Sequence, residues 1–541
     1  MTSDLERFIE QDGRDEAIAK VRRQIDESNI TYIYYQFVSV TGRIMGKGAP
    51  ADHWETIARN GFQLVYGATA NLFTDRHGNY IGYGAEAREL VGLPDVETFC
   101  VLPWDPKTAR VFCTLFRGRE EDKGAPADHW ETIARNGFQL VYGATANLFT
   151  DRHGNYIGYG AEARELVGLP DVETFCVLPW DPKTARVFCT LFRGREEDKD
   201  PGAYLTSDCR GNLKRIHQAF EEETGYHLRV GTEPEMMWLK LNPDGTPSVD
   251  GKTRPYCYHI DQFAELQPII HRVIEYSKAM GLDMVQGDHE DAPGQLELNF
   301  AFDRAELTAD RLTTYRQICR QVGREMGAFP CFMPKPFMGV SANGCHHNIS
   351  LWQGDVNVFL PDGDNPRMPS KVGLNAIGGV LEHLDALTAI TAPTVNSYRR
   401  FWDTGFWAPL YADWGFQNRT TALRVSAPGR FEYRSVDSAV NPYLSFAALL
   451  TAMADGIRRN LDPGPPEERN IYDAIAAGKD VKKIPMTLGE ALDALERDPV
   501  IQEALPGDMY RVYMHYKRDE WERFCATVSE WDVKEYLDIL P

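Results

Sequence analysis

The stretch HLRVGTEPEMMWL at 227–239 sets Glu233 and Glu235 two residues apart in a run rich in apolar side chains. Side chains alternate faces along a strand, so both carboxylates project from one face, roughly 7 Å apart. A single such pair is ordinarily a solvated strand face. Four further segments change that reading. HEDAPGQLELNF (289–300) carries Glu290 in the loop before a strand and Glu297 inside it. NGCHHNISLW (343–352) puts His346, Asn348 and Ser350 on one face. NRTTALRV (418–425) supplies Arg419 and Arg424 on a strand, and RFEYRS (430–435) supplies Arg430, Glu432 and Arg434.

Carboxylates that converge without partners repel, and their pKa values rise unless cations neutralise them. Oxygen-rich ligation with one imidazole suits Mg²⁺ or Mn²⁺ better than zinc. Arginines beside such ions suit polyphosphate and carboxylate groups, which the planar guanidinium binds bidentately. The pattern points to metal-dependent phosphoryl chemistry.

Helical spacing surrounds these segments. Leu213, Ile216 and Phe220 predict a helix over 207–223, and a second is expected over 261–280 with Gly281 as its stop. A third starts at Asn441-Pro442, where proline is tolerated in the first turn. The net charge of −21 argues against a nucleic-acid partner, because affinity for phosphate chains comes mainly from Lys and Arg. No apolar run reaches 18 residues and the first 16 residues are polar, so neither a membrane span nor a signal peptide is expected. The ten cysteines show no CxxC pair and read as reduced thiols of a cytoplasmic protein.

The chain also contains an exact duplication. Residues 47–122 recur without a change as 123–198, a period of 123 − 47 = 76. Each copy has short apolar runs (FQLVY, ARVFCTLF) separated by the turn signals DRHGN and WDPK, the mark of β-hairpins. Either copy, or a hybrid of the two, could complete a small β domain. The surplus would then loop out, pack elsewhere or swap between subunits.

Taken together, the ordered segments resemble glutamine synthetase of the bacterial dodecameric class and its amine-ligase relatives. The matching stretches are GTEPE, HEDAPGQLE, MPKPF with NGCHHNISLW, NSYRRF, NRTTALRV, RFEYRS and NPYLSFAALLTAMADGI, in family order from 231 to 457. The resemblance implies an α+β fold: an N-terminal β-grasp domain (1–199, containing the duplication) and a catalytic domain (200–541) with a funnel of curved antiparallel strands. It implies a homo-oligomer of stacked rings, dodecamer-like, whose active sites are completed by a neighbour's N-terminal domain. The implied cofactors are ATP and two or three Mg²⁺ or Mn²⁺ ions. One metal site would be Glu235, Glu290 and Glu297, and the other Glu233, His346 and Glu432. Arg419, Arg424 and Arg434 match the arginines that hold nucleotide phosphates and the transferring phosphoryl group. Arg400 matches the arginine that holds the substrate carboxylate. An acyl phosphate forms first, and an amine then displaces phosphate.

Three departures bear on the substrate. Glutamine synthetases carry PGYEAP after NSY, and its glutamate helps bind ammonium and takes its proton. The loop here reads FWDTGFWAP, with Trp407 at the glutamate's place. The partner's aspartate, from an FDGSS-like motif, is matched by VYGAT, which puts Tyr66 and its duplicate Tyr142 there. Burying an ammonium without carboxylates costs several kcal/mol, and aromatic faces return about 0.5–2 kcal/mol. Trp407, Tyr66 or Tyr142, with Trp402 and Phe406, are therefore expected to line a pocket for an organic amine, and Asp403 is the candidate base. At the amino-acid end Ser341-Ala342 replaces the family's Asn-Gly, and Asn348 replaces a histidine.

The expected reaction joins glutamate to an alkylamine, arylamine or aminoalcohol. The alternatives are an ammonia-dependent glutamine synthetase and a catalytically silent assembly protein. Tyr472, in RNIYD, resembles a tyrosine that some bacterial relatives adenylylate.

Overall fold

In a computed structural model of the protein, helices Asp4–Ile9 and Arg14–Glu27 precede strand β1 (Tyr32–Val38). Residues 4–38, 44–65, 90–95, 98–103, 105–117, 138–140, 151–155, 157, 165–171, 173–194, 200–403 and 408–539 are described.

The N-terminal sheet continues with β2 (Ile44–Pro50), β3 (Phe62–Val65), β4 (Leu90–Pro94), β5 (Phe99–Val101), β6 (Thr108–Arg117), β7 (Phe138–Leu140), β8 (Glu165–Pro170), β9 (Thr174–Leu178) and β10 (Asp181–Phe192). Four pairs, β3/β7, β4/β8, β5/β9 and β6/β10, are equivalents 76 residues apart, so these ten strands hold 10 − 4 = 6 different sequences. Equivalents claim the same place. Ile33 of β1 is in register with both Ala109 and Ala185, and Tyr35 with both Val111 and Val187, each time in parallel. Gly168 of β8 faces both Phe62 and Phe138.

Side chains repeat the coincidence. Phe188 and Phe112 are equivalents 76 residues apart, as are Phe175 and Phe99, and the space for each pair holds one ring. Arg110 and Arg186 both donate to Thr314. Buried Arg210 pairs with both Asp95 (3.0 Å) and Asp171 (2.8 Å), besides Asp310. Cys176 is likewise the equivalent of Cys100, and Cys189 of Cys113. Each pair marks one position claimed twice. The first half of copy one is anchored through Trp54, whose Nε1 donates to Ile18 O. Copy two docks on helix Asp508–Cys525 through Asp151–His515 (3.0 Å) and Arg193–Asp508 (2.9 Å).

Beyond residue 200 each strand is different. The second sheet comprises β11 (His227–Leu241), β12 (Pro247–Gly251), β13 (Met284–His289), β14 (Gln295–Phe300), β15 (Asp303–Arg304), β16 (Ala328–Cys331), β17 (Cys345–Gln353), β18 (Val356–Asn357), β19 (Trp414–Phe416), β20 (Leu423–Ala427) and β21 (Arg430–Tyr433). Its main path runs β13-β14-β11-β17-β21-β20-β19, antiparallel except for β19–β20.

Helices cover this sheet. Cys209–Thr224 is capped by Asp208, whose side chain accepts from Arg210 N. Pro442–Arg459 is capped by Asn441 and is buried from Pro442 to Gly456. It crosses helix Lys371–Glu382 closely, because a Cβ on Gly379 would strike Ala452 O and the Gly456 backbone. The single helix expected over 261–280 is instead two, Ile260–Glu265 and Gln267–Ala279. Pro268, lacking an N–H, starts the second helix and cannot continue the first. Arg419 lies in the loop before β20, not on a strand.

Candidate active site

Cross-strand register assembles the acids. Glu235 of β11 faces Glu297 of β14, and Asp288 of β13 also faces Glu297. On the other side of β11, Glu233 faces His346 of β17. Asn348 faces Glu432 of β21, which in turn faces Arg424 of β20. Directly opposed residues hold their Cβ atoms about 4.5–5.5 Å apart, so one polar row crosses six strands. The row, Glu432 apart, lines a cavity of ≈ 750 Å³, with Glu290 and Arg419 at its wall.

Glu233, His346 and Glu432 each offer a ligand atom, and these lie within 4.8 Å of one another. His346 Nδ1 is 3.3 Å from Glu233 and 3.7 Å from Glu432. Glu235, Glu290 and Glu297 share the cavity without drawing into so tight a trio among the described residues.

The charges are unevenly settled. Burial, reinforced by Glu290, pushes Glu235 up to about 8. Burial and Asp288 push Glu290 up to about 7. Glu297 is raised well above the carboxylate range by burial and then by Glu233, Glu235 and Glu290. Burial would raise Glu233 too, but hydrogen bonds from His346 and Asn348 and the charge of Arg434 bring it to about 2. Burial and Arg434 lower His346, which keeps the imidazole neutral and fit for ligation. A set of acids that resists full ionisation until a cation arrives fits Mg²⁺ or Mn²⁺.

Glu432, 1% exposed, is clasped by Arg424 (2.7 Å) and by Arg434. Arg400 is 3% exposed, and its Nε and Nη1 have no hydrogen-bond partner among the described residues. Its charged surroundings are Asp437, Glu235 and Arg434. Orphaned donors on a buried guanidinium fit an anionic group that the protein itself does not supply.

Several contributors went unread in the sequence. Gln295 Nε2 reaches Glu235 Oε2 (3.2 Å), Ala342 O (2.9 Å) and Asn343 Oδ1 (3.0 Å). Asn299 Nδ2 donates to Glu297 (2.7 Å). Both share the period-two face of Glu297, which was the available signal. At the far end of the cavity Phe302 and Trp352 stack 6.1 Å apart, with Arg229 4.4 Å above the indole. No local pattern marks that cluster.

Glutamine synthetase, catalytic domain, is the family that matches residues 206–536. The chain belongs to the glutamine synthetase family. It is 36% identical over 397 residues to glutamine synthetase of Pyrococcus furiosus, covering 70% of this chain and 87% of that relative. Glutamine synthetase of Rhizobium meliloti is 34% identical over 386 residues, covering 69% and 86%. Among solved structures, a GmaS/ADP complex superimposes with TM-score 0.72 at 26% identity, covering 96% of this chain and 99% of that one. GmaS without ligand gives 0.69, again at 26% identity, covering 95% and 98%. The protein is thus a carbon–nitrogen ligase of mixed α+β fold, from a family that uses ATP, divalent metals and small-molecule substrates in homo-oligomers. Among the described residues no helix is long and apolar enough to cross a membrane.

For a glutamine synthetase-family site, two expectations need correction. Trp402 does not wall the cavity: it is 62% exposed, donates to Met486 O (2.9 Å) and lies under Lys483. Asp403 is not poised as a base. Its carboxylate accepts from Lys335 Nζ (2.6 Å) and Gly339 N (2.9 Å), and the Lys335 hydrogen bond holds its pKa below the usual range. A carboxylate so engaged is a poor proton acceptor at neutral pH. Tyr66, Tyr142, Phe406 and Trp407 lie outside the described residues. Tyr472 packs edge-on to Tyr411, half-buried.

Proposed function

We propose that the protein forms γ-glutamyl amides from glutamate and an organic primary amine at the expense of ATP. The observation that carries this reading is the polar row of acids and arginines, combined with a sequence in which Trp407 stands where ammonia-using relatives carry a glutamate. Likeness to GmaS over nearly the whole chain adds support.

In this reading Glu233, His346 and Glu432 hold one divalent cation and Glu235, Glu290 and Glu297 another. Such ions, when bound, offset charge on phosphate oxygens. Arg419, Arg424 and Arg434 bind the nucleotide phosphates and the transferring phosphoryl group, and Arg400 binds the glutamate carboxylate beside Ser341 and Ala342. The γ-carboxylate oxygen takes the terminal phosphoryl of ATP, releasing ADP. The amine nitrogen then attacks the acyl carbon, phosphate leaves and the amine gives up a proton. The Trp407 ring, with Phe406 and Tyr66 or Tyr142 of a neighbouring subunit, offers apolar and cation–π contact to the amine. We assign 1–199 to an N-terminal β-grasp domain and 200–541 to the catalytic domain of a ring assembly in the cytoplasm.

The second reading, ammonia-dependent glutamine synthesis, is favoured by the names of relatives at 34–36% identity. ADP release with glutamate and a panel of amines separates the two. Turnover with alkyl- or arylamines well above that with ammonia supports the proposal. Saturation at sub-millimolar ammonia contradicts it.

A further inference from the structure

We propose that Asp403 is a positioning residue for the acyl-donor end of the site, acting through Lys335. The proposal rests on the reading above that glutamate binds beside Ser341 and Ala342.

Lys335 is 3% exposed, and its ammonium donates to Asp403 Oδ2 (2.6 Å) and to Val340 O. Its backbone is gripped on both sides by Asn396, as Lys335 N donates to Oδ1 (2.7 Å) and Nδ2 donates to Lys335 O (3.0 Å). The same Asp403 oxygen accepts from Gly339 N (2.9 Å). Gly339 has φ +75°, a left-handed turn that returns the chain toward the site. One carboxylate therefore ties together both ends of the 335–340 loop.

The next residues run straight to the acid row. Ser341 Oγ donates to Asp291 (2.8 Å), adjacent to Glu290. Ala342 O accepts from Gln295, and Gly344 N donates to Glu235 Oε2 (2.8 Å). Asn343 Nδ2 donates to Met333 O (2.8 Å) and its N–H to Pro334 O (2.8 Å). The segment bearing Ser341 and Ala342 is thus strung between the Lys335–Asp403 pair and the acids. Neutralising Asp403 leaves a buried ammonium without its counter-charge, and the loop must loosen to solvate it. Loosening there displaces the acyl donor and leaves the proton chemistry of the amine unchanged.

The test compares Asp403→Asn and Asp403→Glu with the full-length enzyme. It uses glutamate titrations at saturating amine, pH–rate profiles, and hydrogen exchange of the peptide covering 335–344 in ligand-free protein. The expected result for Asp403→Asn is a KM for glutamate raised ~10-fold, kcat within about two-fold, an unshifted pH profile and faster exchange at 335–344. Asp403→Glu is expected to recover most of the KM. An unchanged KM with a fallen kcat and a displaced acid limb would overturn the proposal in favour of a proton-transfer role. Unchanged exchange at 335–344 would overturn it outright. Wild-type enzyme that ligates no amine to glutamate would sink the functional reading instead, and the exchange rates would still decide the role of Asp403.

Discussion

The two large sheets are built from opposite kinds of sequence. In the sheet beyond residue 200 every strand is different, and each register is specified by its own side chains: Glu233 meets His346, Glu235 meets Glu297. In the N-terminal sheet, β1 is offered two identical strands in one register, and Arg210 is offered two identical aspartates. Strand position is chosen by differences in side-chain pattern. Where copies are identical, that choice is degenerate. The catalytic sheet has one solution, and the duplicated sheet has one place with two equivalent claimants.

The sharpest way to break this comparison is to spoil the claimants separately and together. Phe112 and Phe188 are equivalents 76 residues apart, each fully buried. Phe112→Asp or Phe188→Asp alone is expected to shift stability by under ~1 kcal/mol, because the intact copy takes the place. The double variant is expected to lose ~4 kcal/mol or more, since a carboxylate then enters the core. Thermal unfolding monitored in the N-terminal region decides this. A single variant as damaged as the double would show that the copies are not interchangeable. By the same reasoning, deletion of 47–122 or of 123–198 yields one and the same chain of 541 − 76 = 465 residues, expected to keep its fold and activity.

A smaller effect separates the sheets by pH. Glu235 is raised from 4.5 to about 8 by burial and by Glu290. Between those values the folded chain keeps a proton that the unfolded chain has released, so this residue's contribution to stability falls as pH rises from about 5 to about 8. Glu235→Gln removes that loss. In metal-free buffer the variant's Tm is expected to gain on wild type steadily across that range, while Phe112→Asp shows no such trend. A pH-independent difference between Glu235→Gln and wild type would contradict the assigned shift.

Much of the candidate site was legible because period two is a local property. Glu233, Glu235, Glu297, His346 and Glu432 all fell on polar faces that a reader can mark without a structure. Which face meets which is non-local, so the pairing of Glu233 with His346 had to come from register. Gln295 and Asn299 obeyed the same period and were passed over because amides carry no charge signal. Asp403 misled for a related reason: an acid in a substrate loop looks like a base until its partner, 403 − 335 = 68 residues away, is seen. The break before Pro268 has a local cause in the proline itself, whereas the loop position of Arg419 shows tertiary context overriding the extent of a local pattern.

The claim beneath all of this is that register alone gathers six strands' worth of polar groups into a place for divalent cations. Calorimetric titration of metal-free protein with Mn²⁺, in two buffers of different ionisation enthalpy, tests it directly. Saturable binding is expected that releases protons, tightens from pH 6.5 to pH 8 and weakens sharply in His346→Ala and Glu297→Gln. Binding without proton release, or binding indifferent to both substitutions, would contradict it.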